Sequence, residues 1–220
     1  MKLYIVATPI GNLEDITYRA VNTLKEVDLI LAEDTRHAKI LLSRYEITTP
    51  VKSYHQHSRL AKVDFIIETL KDTKNMALIS DAGTPGISDP GQFLIKKILE
   101  ELPETEIIPI PGPSSPIAAL SISGFDTDEF LFLGFLPKKK GRQTLFNSLK
   151  SEKRTIVFFE SPYRIKKTLS QLQEFLGGDR NAVVCRELTK KFEEIYRGKI
   201  AEVLELVKEK GEFVVIISNS

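Results

Sequence analysis

Short apolar runs alternate with longer amphipathic stretches along the whole chain. Runs rich in Val, Ile, Leu and Phe are typical of strands buried on both faces, and the amphipathic stretches are typical of helices that pack over them. The pattern therefore predicts an α/β protein. In the first half, the predicted strands cover residues 3–7, 29–32, 51–54, 76–79 and 107–110, with helices in the intervals.

The two halves predict two different sheets. Regular alternation of strand and helix in the first half favours a parallel, doubly wound sheet. In the second half the last three of the predicted strands follow one another closely enough for antiparallel pairing, so a mixed sheet is expected there. Those second-half strands cover residues 130–135, 155–159, 182–186, 195–199 and 213–217.

A proline-rich stretch separates the halves. Proline fixes φ and lacks an N–H donor, so Pro109, Pro111, Pro113 and Pro116 are predicted to mark a linker rather than a helix or a central strand. At 220 residues the chain is long enough for two domains of about 100 residues each. We expect an N-terminal domain over residues 1–112 and a C-terminal domain over residues 113–220.

Several classes of protein are disfavoured by simple features. The single cysteine, Cys185, does not allow an intrachain disulfide, and Met1 precedes a strand-like segment rather than a leader sequence. No apolar stretch approaches the roughly 20 residues that cross a bilayer. His55 and His57 lack a cysteine or nearby carboxylate to complete a ligand set, so no metal is expected. These features predict a cytoplasmic protein without a membrane role.

Candidate chemistry lies in four polar loops that follow predicted strands, where ligands bind in open α/β sheets. The loop over residues 81–91 carries three glycines, two prolines and two carboxylates, more special residues than a plain connection needs. Capping is the alternative: Asp89 would cap a helix that starts at Pro90, and Asp34 or Thr35 would cap the helix after the second strand. The other loops cover residues 8–12, 32–36 and 111–115.

Charge is distributed unevenly between the halves. The first half has more acidic than basic residues, and the second half has the reverse. A cluster of basic residues with Glu152 as its single acid is a candidate phosphate-binding patch, although a solvated surface also explains it. The cluster consists of Lys138, Lys139, Lys140, Arg142, Lys150, Lys153 and Arg154.

Seven motifs, in this order, resemble the ribosomal small subunit methyltransferase I family, a branch of the tetrapyrrole methylase superfamily. The resemblance spans roughly residues 2 to 217 and rests on the ensemble, because each motif alone is weak. The motifs are LYIVATPIGNLEDIT, LAEDTRHAKILL, LISDAGTPGISDPG, IPGPSS, GFLPKKKGR, FFESPYR and RELTKKFEE.

The resemblance implies two α/β domains, a homodimer, and S-adenosylmethionine bound in the cleft between the domains. Thr84 stands where many tetrapyrrole methylases have aspartate, so a contact made through that carboxylate must be made differently here. Phe159 with Glu160, and Glu187 with Leu188, are expected to close the cleft from the second domain. The cofactor-binding residues implied by the resemblance are Pro9, Gly83, Thr84, Pro85, Gly86, Ile87, Ser114, Ser115, Phe159 and Leu188.

The implied reaction is methyl transfer to the 2'-hydroxyl of a cytidine in the decoding region of 16S rRNA in the small ribosomal subunit. Such a displacement requires alignment and a group that accepts the hydroxyl proton. Candidates for the base or for a supporting charge are Glu33, Asp34, Glu160, Glu187 and Lys190. Glu33 with Arg36, and Glu187 with Lys190, are alternatively simple ion pairs. The expected RNA-binding residues are Lys138, Lys139, Lys140, Arg142 and Arg164.

Two other functions stay open at this stage. A tetrapyrrole methyltransferase of the same superfamily would need an apolar macrocycle pocket and would have no use for the lysine cluster. A nonenzymatic RNA-binding protein that kept the fold would not bind S-adenosylmethionine. The lysine cluster argues against the first function, and the glycine-rich loops argue against the second.

Overall fold

The computed structural model describes residues 1–54, 60–73 and 75–218. His55 and His57, and the metal question they raised, therefore lie outside the described residues. Contacts within the chain divide it into two units, Met1–Ser114 and Ser115–Ser220. The boundary predicted from the prolines, between residues 112 and 113, falls close to this division.

The first unit contains a five-stranded parallel sheet, as predicted. Its strands are β1 (Lys2–Val6), β2 (Leu29–Ala32), β3 (Val51–Ser53), β4 (Asn75–Ile79) and β5 (Glu106–Ile110). They pair in the order β3-β2-β4-β1-β5, and every pair is parallel. The central strands β2 and β4 are almost continuously apolar and buried, because helices cover both faces of the sheet.

Four helices cover this sheet, two on each face. They are α1 (Tyr18–Glu26), α2 (Thr35–Arg44), α3 (Leu60–Thr73) and α4 (Gln92–Glu101). Leu24 of α1 and Leu42 of α2 share one buried cluster with β2 and β4, whereas Ile66 of α3 and Ile98 of α4 belong to a separate cluster on the opposite face. A short 3-10 helix (Leu13–Asp15) precedes α1.

The second unit contains a mixed sheet, also as predicted. Its strands are β6 (Phe130–Phe135), β7 (Thr155–Glu160), β8 (Asn181–Arg186), β9 (Glu194–Lys199) and β10 (Phe213–Ile217). The order is β6-β7-β10-β8-β9, in which β6 and β7 are parallel and the other neighbours are antiparallel. The helices are α5 (Ser115–Ser121), α6 (Arg142–Leu149), α7 (Ile165–Leu176) and α8 (Ile200–Leu206).

Side chains of α6, α7 and α8 share one buried cluster with one face of this mixed sheet. Phe146 of α6, Leu169 of α7 and Val203 of α8 are almost fully buried there beside Phe158 of β7. Helix α5 packs against β7 and β10.

The predicted linker is shorter than the proline pattern indicated. Pro109 lies in β5, an edge strand in which a missing N–H donor is tolerated. Pro116 is the second residue of α5, where the N–H would have no partner within the helix. The prediction that this stretch excludes helix was therefore wrong at Pro116, and only residues 111–114 connect β5 to α5.

Candidate functional site

The candidate site lies at the carboxyl edge of the parallel sheet. Because all five strands run in the same direction, the loops that follow β1, β2, β4 and β5 meet at this edge. Neighbouring strands β1 and β4 are followed in the chain by helices on opposite faces, α1 and α4 respectively. This arrangement opens a crevice between the loops after β1 and β4, the usual ligand site of such sheets.

A short antiparallel bridge joins those two loops. The Thr8 N–H donates to the Gly83 carbonyl at 2.9 Å, and the Gly83 N–H donates to the Thr8 carbonyl at 3.1 Å. The Thr8 hydroxyl also donates to the Ser80 carbonyl at 3.2 Å. The first two predicted cofactor segments are therefore held together before any ligand binds. Pro9, next to this bridge, is buried.

The loop after β5 also approaches this point. A Cβ added at Gly112 would lie 3.0 Å from the Ala7 Cβ, and one added at Gly83 would lie 3.7 Å from the Pro113 carbonyl oxygen. Gly112 thus permits an approach that a side chain would obstruct. Ser114 follows in a partly buried position, and Ser115 is the first residue of α5.

The loop after β4 is built around residues with positive φ. Gly83 has a φ of +76° and Gly86 a φ of +84°, conformations that disfavour other residues. Between them, Thr84 is partly buried and Pro85 is buried, and the Thr84 carbonyl accepts a hydrogen bond from the Ile87 N–H at 3.4 Å. The Ile87 side chain is 54% exposed and is available to a ligand.

Helix α4 begins later than predicted. It starts at Gln92 with Gly91 as its N-cap residue, and Gly91 supplies no side-chain hydrogen bond. The expectation that Asp89 caps a helix at Pro90 was therefore wrong. Instead, Asp89 interacts with the Ser80 hydroxyl at the end of β4.

Three carboxylates gather at this edge: Glu33, Asp81 and Asp89. Burial raises the pKa of Glu33, and the negative charges of Asp81 and Asp89 raise it further. Burial likewise raises the pKa of Asp89, Asp81 adds to that rise, and the Ser80 hydroxyl opposes it. The edge therefore favours a positively charged ligand. Asp81 and Asp89 belong to the loop predicted as functional, over residues 81–91, but neither was predicted as a catalytic or cofactor-binding residue, although Asp81 lies at the end of a buried strand, the signal used for Glu33.

Asp34 has a structural role, which confirms the capping alternative. It is the N-cap residue of α2, and one of its carboxylate oxygens accepts from the Arg36 N–H at 2.8 Å. Its other oxygen accepts from the Arg36 guanidinium at 2.7 Å. The Arg36 side-chain hydrogen bond, followed by the Arg36 N–H, lowers the pKa of Asp34 far below its usual range. The ion pair predicted for Arg36 with Glu33 thus forms with Asp34 instead.

A pocket that is open to solvent lies at the same edge. It extends from the loop after β1 to the exposed start of α2 and to the end of β4. His37 contributes to its wall but is otherwise exposed. The cavity is lined by Thr8, Pro9, Leu13, His37, Ala38, Ile40, Leu41, Ile79, Ser80 and Asp81.

In the second unit, Glu160 forms a buried network. Its side chain is 0% exposed, and one oxygen accepts from the Ser161 N–H at 2.7 Å and pairs with the Arg164 guanidinium at 2.7 Å. The other oxygen accepts from the Thr168 hydroxyl at 2.6 Å. Both oxygens are therefore engaged in holding the end of β7 to the start of α7, which makes Glu160 a poor proton acceptor.

Arg142 points inward rather than toward a polyanion. It is 8% exposed, and its guanidinium donates to the Pro137 carbonyl at 2.9 Å and to the Thr168 hydroxyl at 2.7 Å. Arg164 is partly exposed but donates to the Leu136 carbonyl at 3.0 Å in addition to its pair with Glu160. The structure thus does not favour a direct RNA contact for Arg142, because a buried, fully bonded guanidinium does not reach a phosphate.

Glu187 and Lys190 form the ion pair that was considered as their alternative role. The Lys190 Nζ donates to the Glu187 carboxylate at 3.2 Å and to the Glu212 carboxylate at 2.8 Å. Burial raises the pKa of Glu187, but the Glu212 N–H and the Lys190 ammonium outweigh it and the pKa is lowered. For Lys190, burial lowers the pKa, yet Glu212 and Glu187 outweigh it and the pKa is raised. Neither group is thus suited to accept a proton at neutral pH.

The remaining predicted residues of the second unit lie in varied surroundings. Phe159 is half-buried between Phe132 and Phe135, with ring centroids 5.2 Å and 5.3 Å away. Leu188 is 9% exposed. The three lysines of the loop that follows β6 are exposed, as an RNA-binding role requires: Lys138, Lys139 and Lys140.

Two features are absent from the described part of the chain. Among residues 1–54, 60–73 and 75–218, no group of three His, Cys, Asp or Glu side chains is arranged to hold a metal ion. None of the described helices has the length and apolar character needed to cross a membrane.

Comparison with known proteins first defines the class. Residues 2–204 match the family model of Tetrapyrrole (Corrin/Porphyrin) Methylases. A cobalt precorrin-4 methyltransferase shares the fold with a TM-score of 0.73 at 18% identity, covering 99% of this chain and 94% of that one. The uroporphyrin-III C-methyltransferase from Thermus thermophilus, in complex with S-adenosyl homocysteine, gives 0.69 at 17% identity, covering 99% and 97%. The fold is that of the tetrapyrrole methylases.

Curated relatives define the family within this class. A Synechocystis protein named ribosomal RNA small subunit methyltransferase I is 50% identical, over 99% of this chain and 79% of that protein. The Thermotoga maritima protein of the same name is 47% identical, over 99% of this chain and 98% of that protein. The chain belongs to the ribosomal RNA small subunit methyltransferase I family, which confirms the resemblance seen in its motifs.

Proposed function

We propose that this chain transfers the methyl group of S-adenosylmethionine to the 2'-hydroxyl of a cytidine in 16S rRNA of the small ribosomal subunit. The observation that carries the proposal is its near-50% identity, over 99% of its length, to proteins named as small subunit rRNA methyltransferases. Membership of a methylase family supports the reaction class. The choice of a cytidine 2'-oxygen follows from the sequence resemblance.

The carboxyl edge of the parallel sheet fits the cofactor chemically. S-adenosylmethionine carries a sulfonium and an ammonium group, and the carboxylates of Glu33, Asp81 and Asp89 provide compensating negative charge. The bridge between Thr8 and Gly83 fixes two of the binding loops in advance, so less conformational entropy is lost when a ligand binds. When bound, the cofactor supplies an electrophilic methyl group for direct displacement.

Glu33 is our proposed proton acceptor among the five residues predicted from the sequence. Asp34 and Glu160 have both oxygens engaged in structural hydrogen bonds. Glu187 and Lys190 neutralise each other. Glu33, in contrast, has a raised pKa, and a carboxylate with a raised pKa is a stronger base toward a ribose hydroxyl.

The lysine run after β6 is our proposed contact with the RNA backbone. Lys138, Lys139 and Lys140 are exposed, and phosphate contacts by lysine supply much of the affinity of RNA-binding proteins. A ribosomal substrate implies a cytoplasmic protein, and the family resemblance implies a homodimer. Sedimentation equilibrium tests the dimer.

The proposed function is tested by transfer of a tritiated methyl group from S-adenosylmethionine. Small ribosomal subunits that lack the modification, naked 16S rRNA and a uroporphyrinogen are offered in parallel. We expect label in ribosomal RNA and none in the uroporphyrinogen. Label in the tetrapyrrole would favour a tetrapyrrole methyltransferase, and failure to bind S-adenosylmethionine at all would favour an RNA-binding protein without activity.

A matched pair of variants tests the RNA contact. Replacing Lys138, Lys139 and Lys140 by Gln should raise the KM for the ribosomal substrate and leave the affinity for S-adenosylmethionine unchanged. The control replaces Lys25, Lys71 and Lys96 by Gln. These lysines are exposed on the first unit, and their replacement lowers the net charge by the same amount. An equal effect of the two triple variants would contradict a specific role for the lysine run.

A further inference from the structure

Two loops of the second unit lie side by side. Strands β6 and β7 are parallel neighbours, so the segments that follow them, residues 136–141 and 161–164, emerge at the same edge of the sheet. The first segment carries the lysine run, and the second carries Tyr163. The lysine run and Tyr163 are some twenty residues apart in the sequence, and the pairing of β6 with β7 brings their segments together.

Buried hydrogen bonds hold both segments in place. Arg164, at the start of α7, donates to the Leu136 carbonyl at 3.0 Å. Arg142 donates to the Pro137 carbonyl at 2.9 Å and to Thr168 of α7 at 2.7 Å. Glu160 binds the other side of this network through Arg164 and Thr168. These hydrogen bonds therefore hold the backbone of both loops, while the side chains of Lys138–Lys140 and Tyr163 are exposed.

Two large aromatic side chains at this edge of the sheet are exposed. Tyr163 is 93% exposed and Phe135, the last residue of β6, is 58% exposed. The Phe135 ring lies against Phe159 at a centroid distance of 5.3 Å, so one of its faces is supported by the protein. Large aromatic rings that are exposed at one edge of a sheet indicate a binding surface.

The charge around these rings identifies the partner. Residues 136–151 and 161–173 contain no Asp or Glu. Within the part of the chain that the structure describes, Lys138, Lys139 and Lys140 form no salt bridge. Unneutralised positive charge beside an exposed aromatic ring is complementary to a nucleic acid strand, which presents phosphates and ring faces together.

We infer that Tyr163 stacks on an unpaired base of the RNA substrate while Lys138–Lys140 bind the phosphates beside that base, with Phe135 as a second apolar contact. An RNA duplex hides its base faces, so the geometry selects an unpaired segment. The inference rests on the proposed function and extends it to the form of the substrate. The aromatic side chains recognise a base that is exposed, and the lysines supply affinity without sequence preference.

The test measures binding of short RNA oligonucleotides, single-stranded and duplex, over a series of salt concentrations. Tyr163→Ala should weaken binding of single-stranded RNA by about 5- to 100-fold, with an unchanged salt slope, because stacking releases no counterions. Tyr163→Phe should bind as the wild type does. The triple Lys→Gln variant should instead reduce the salt slope by about 2.

Tyr18→Ala is the matched control, since Tyr18 is 92% exposed on the other unit. A 2-aminopurine base in the oligonucleotide reports stacking directly: its fluorescence should be quenched by the wild type and by Tyr163→Phe but not by Tyr163→Ala. Thermal unfolding should be the same for all these variants, because the tyrosine rings are solvent-exposed.

Either of two results would overturn the inference. One is single-stranded binding by Tyr163→Ala equal to that of the wild type; the other is an equal loss for duplex and single-stranded RNA. The binding assay needs no methyl transfer. A wild type that shows the stacking signature but methylates no ribosomal substrate would support this inference and contradict the proposed function.

Discussion

At the scale of single residues, local hydrogen bonds separate carboxylates that look alike in the sequence. Glu33 and Asp34 are adjacent, yet Asp34 caps α2 and binds Arg36 whereas Glu33 faces Asp81 and Asp89. The hydrogen bonds from Arg36 lower the pKa of Asp34, whereas burial, and then the charges of Asp81 and Asp89, raise the pKa of Glu33. Two adjacent positions therefore supply a structural residue and a candidate for catalysis.

Glu33→Gln should remove the acid limb of the pH–rate profile. In the wild type, kcat/KM should fall as the pH drops through the raised pKa of Glu33, because protonation removes the base. The variant should be slower by about 10²- to 10⁴-fold, with a rate that no longer depends on this titration. The profile is obtained by measuring the steady-state rate of methyl transfer between pH 5 and 9, at about every half pH unit.

Although Glu33→Gln should lower the activity, it should raise the stability of the fold at neutral pH. A raised pKa in the folded state means that Glu33 favours folding below its unfolded pKa and that this contribution is lost as the pH rises through its folded pKa. At neutral pH, Glu33→Gln should therefore be slightly more stable than the wild type in urea. Glu26→Gln, on the exposed side of α1, is the control and should change neither activity nor stability.

Arg164→Met should destabilise the protein by about 3 kcal/mol, because it leaves the Glu160 carboxylate buried without its ionic partner. Urea unfolding followed by circular dichroism measures the change. Arg36→Met removes the exposed pair with Asp34 and should have little effect on stability. Equal losses in the two variants would mean that the Glu160 network contributes no more than a surface pair.

At the scale of elements, strand positions were predictable because parallel strands are buried on both faces and read as apolar runs. The sequence LILA was predicted as a strand at its observed bounds. Helix starts were less predictable, since Asp89 precedes a proline in the manner of an N-cap but the chain makes a further turn before α4 begins at Gln92. The side chain of Asp89 binds Ser80 instead, a contact that depends on tertiary structure.

Loop conformation at the site leads to a prediction with an internal control. Gly83→Ala and Gly124→Ala both place a side chain at a positive φ, +76° and +75° respectively, so each should cost about 1 kcal/mol of stability. Only Gly83 takes part in the bridge to Thr8. Gly83→Ala should therefore also raise the Kd for S-adenosylmethionine by about tenfold, as measured by calorimetry.

The outcome for Gly124→Ala decides how this result is interpreted. It should bind S-adenosylmethionine as the wild type does, since a Cβ there meets no atom within 4 Å. A loss of affinity in both variants would point to general destabilisation rather than to the loop after β4.

At the scale of the whole chain, the family and both sheets could be predicted from the sequence, because the motifs lie at strand ends and keep their order. The candidate site could be predicted only in part. The segments containing Pro9 and Gly83 do meet at one edge, but the burial of Arg142 was not apparent. Its neighbours in the sequence are exposed lysines, and its partner Thr168 lies on another helix.

The identity of the methylated nucleoside is the most direct test of the central claim. Small ribosomal subunits lacking the modification are incubated with the protein and S-adenosylmethionine, and the 16S rRNA is then digested and analysed by mass spectrometry. We expect 2'-O-methylcytidine to appear with the wild type and to be strongly reduced with Glu33→Gln. A newly added methyl group on a base, or no newly methylated nucleoside despite bound S-adenosylmethionine, would contradict the account.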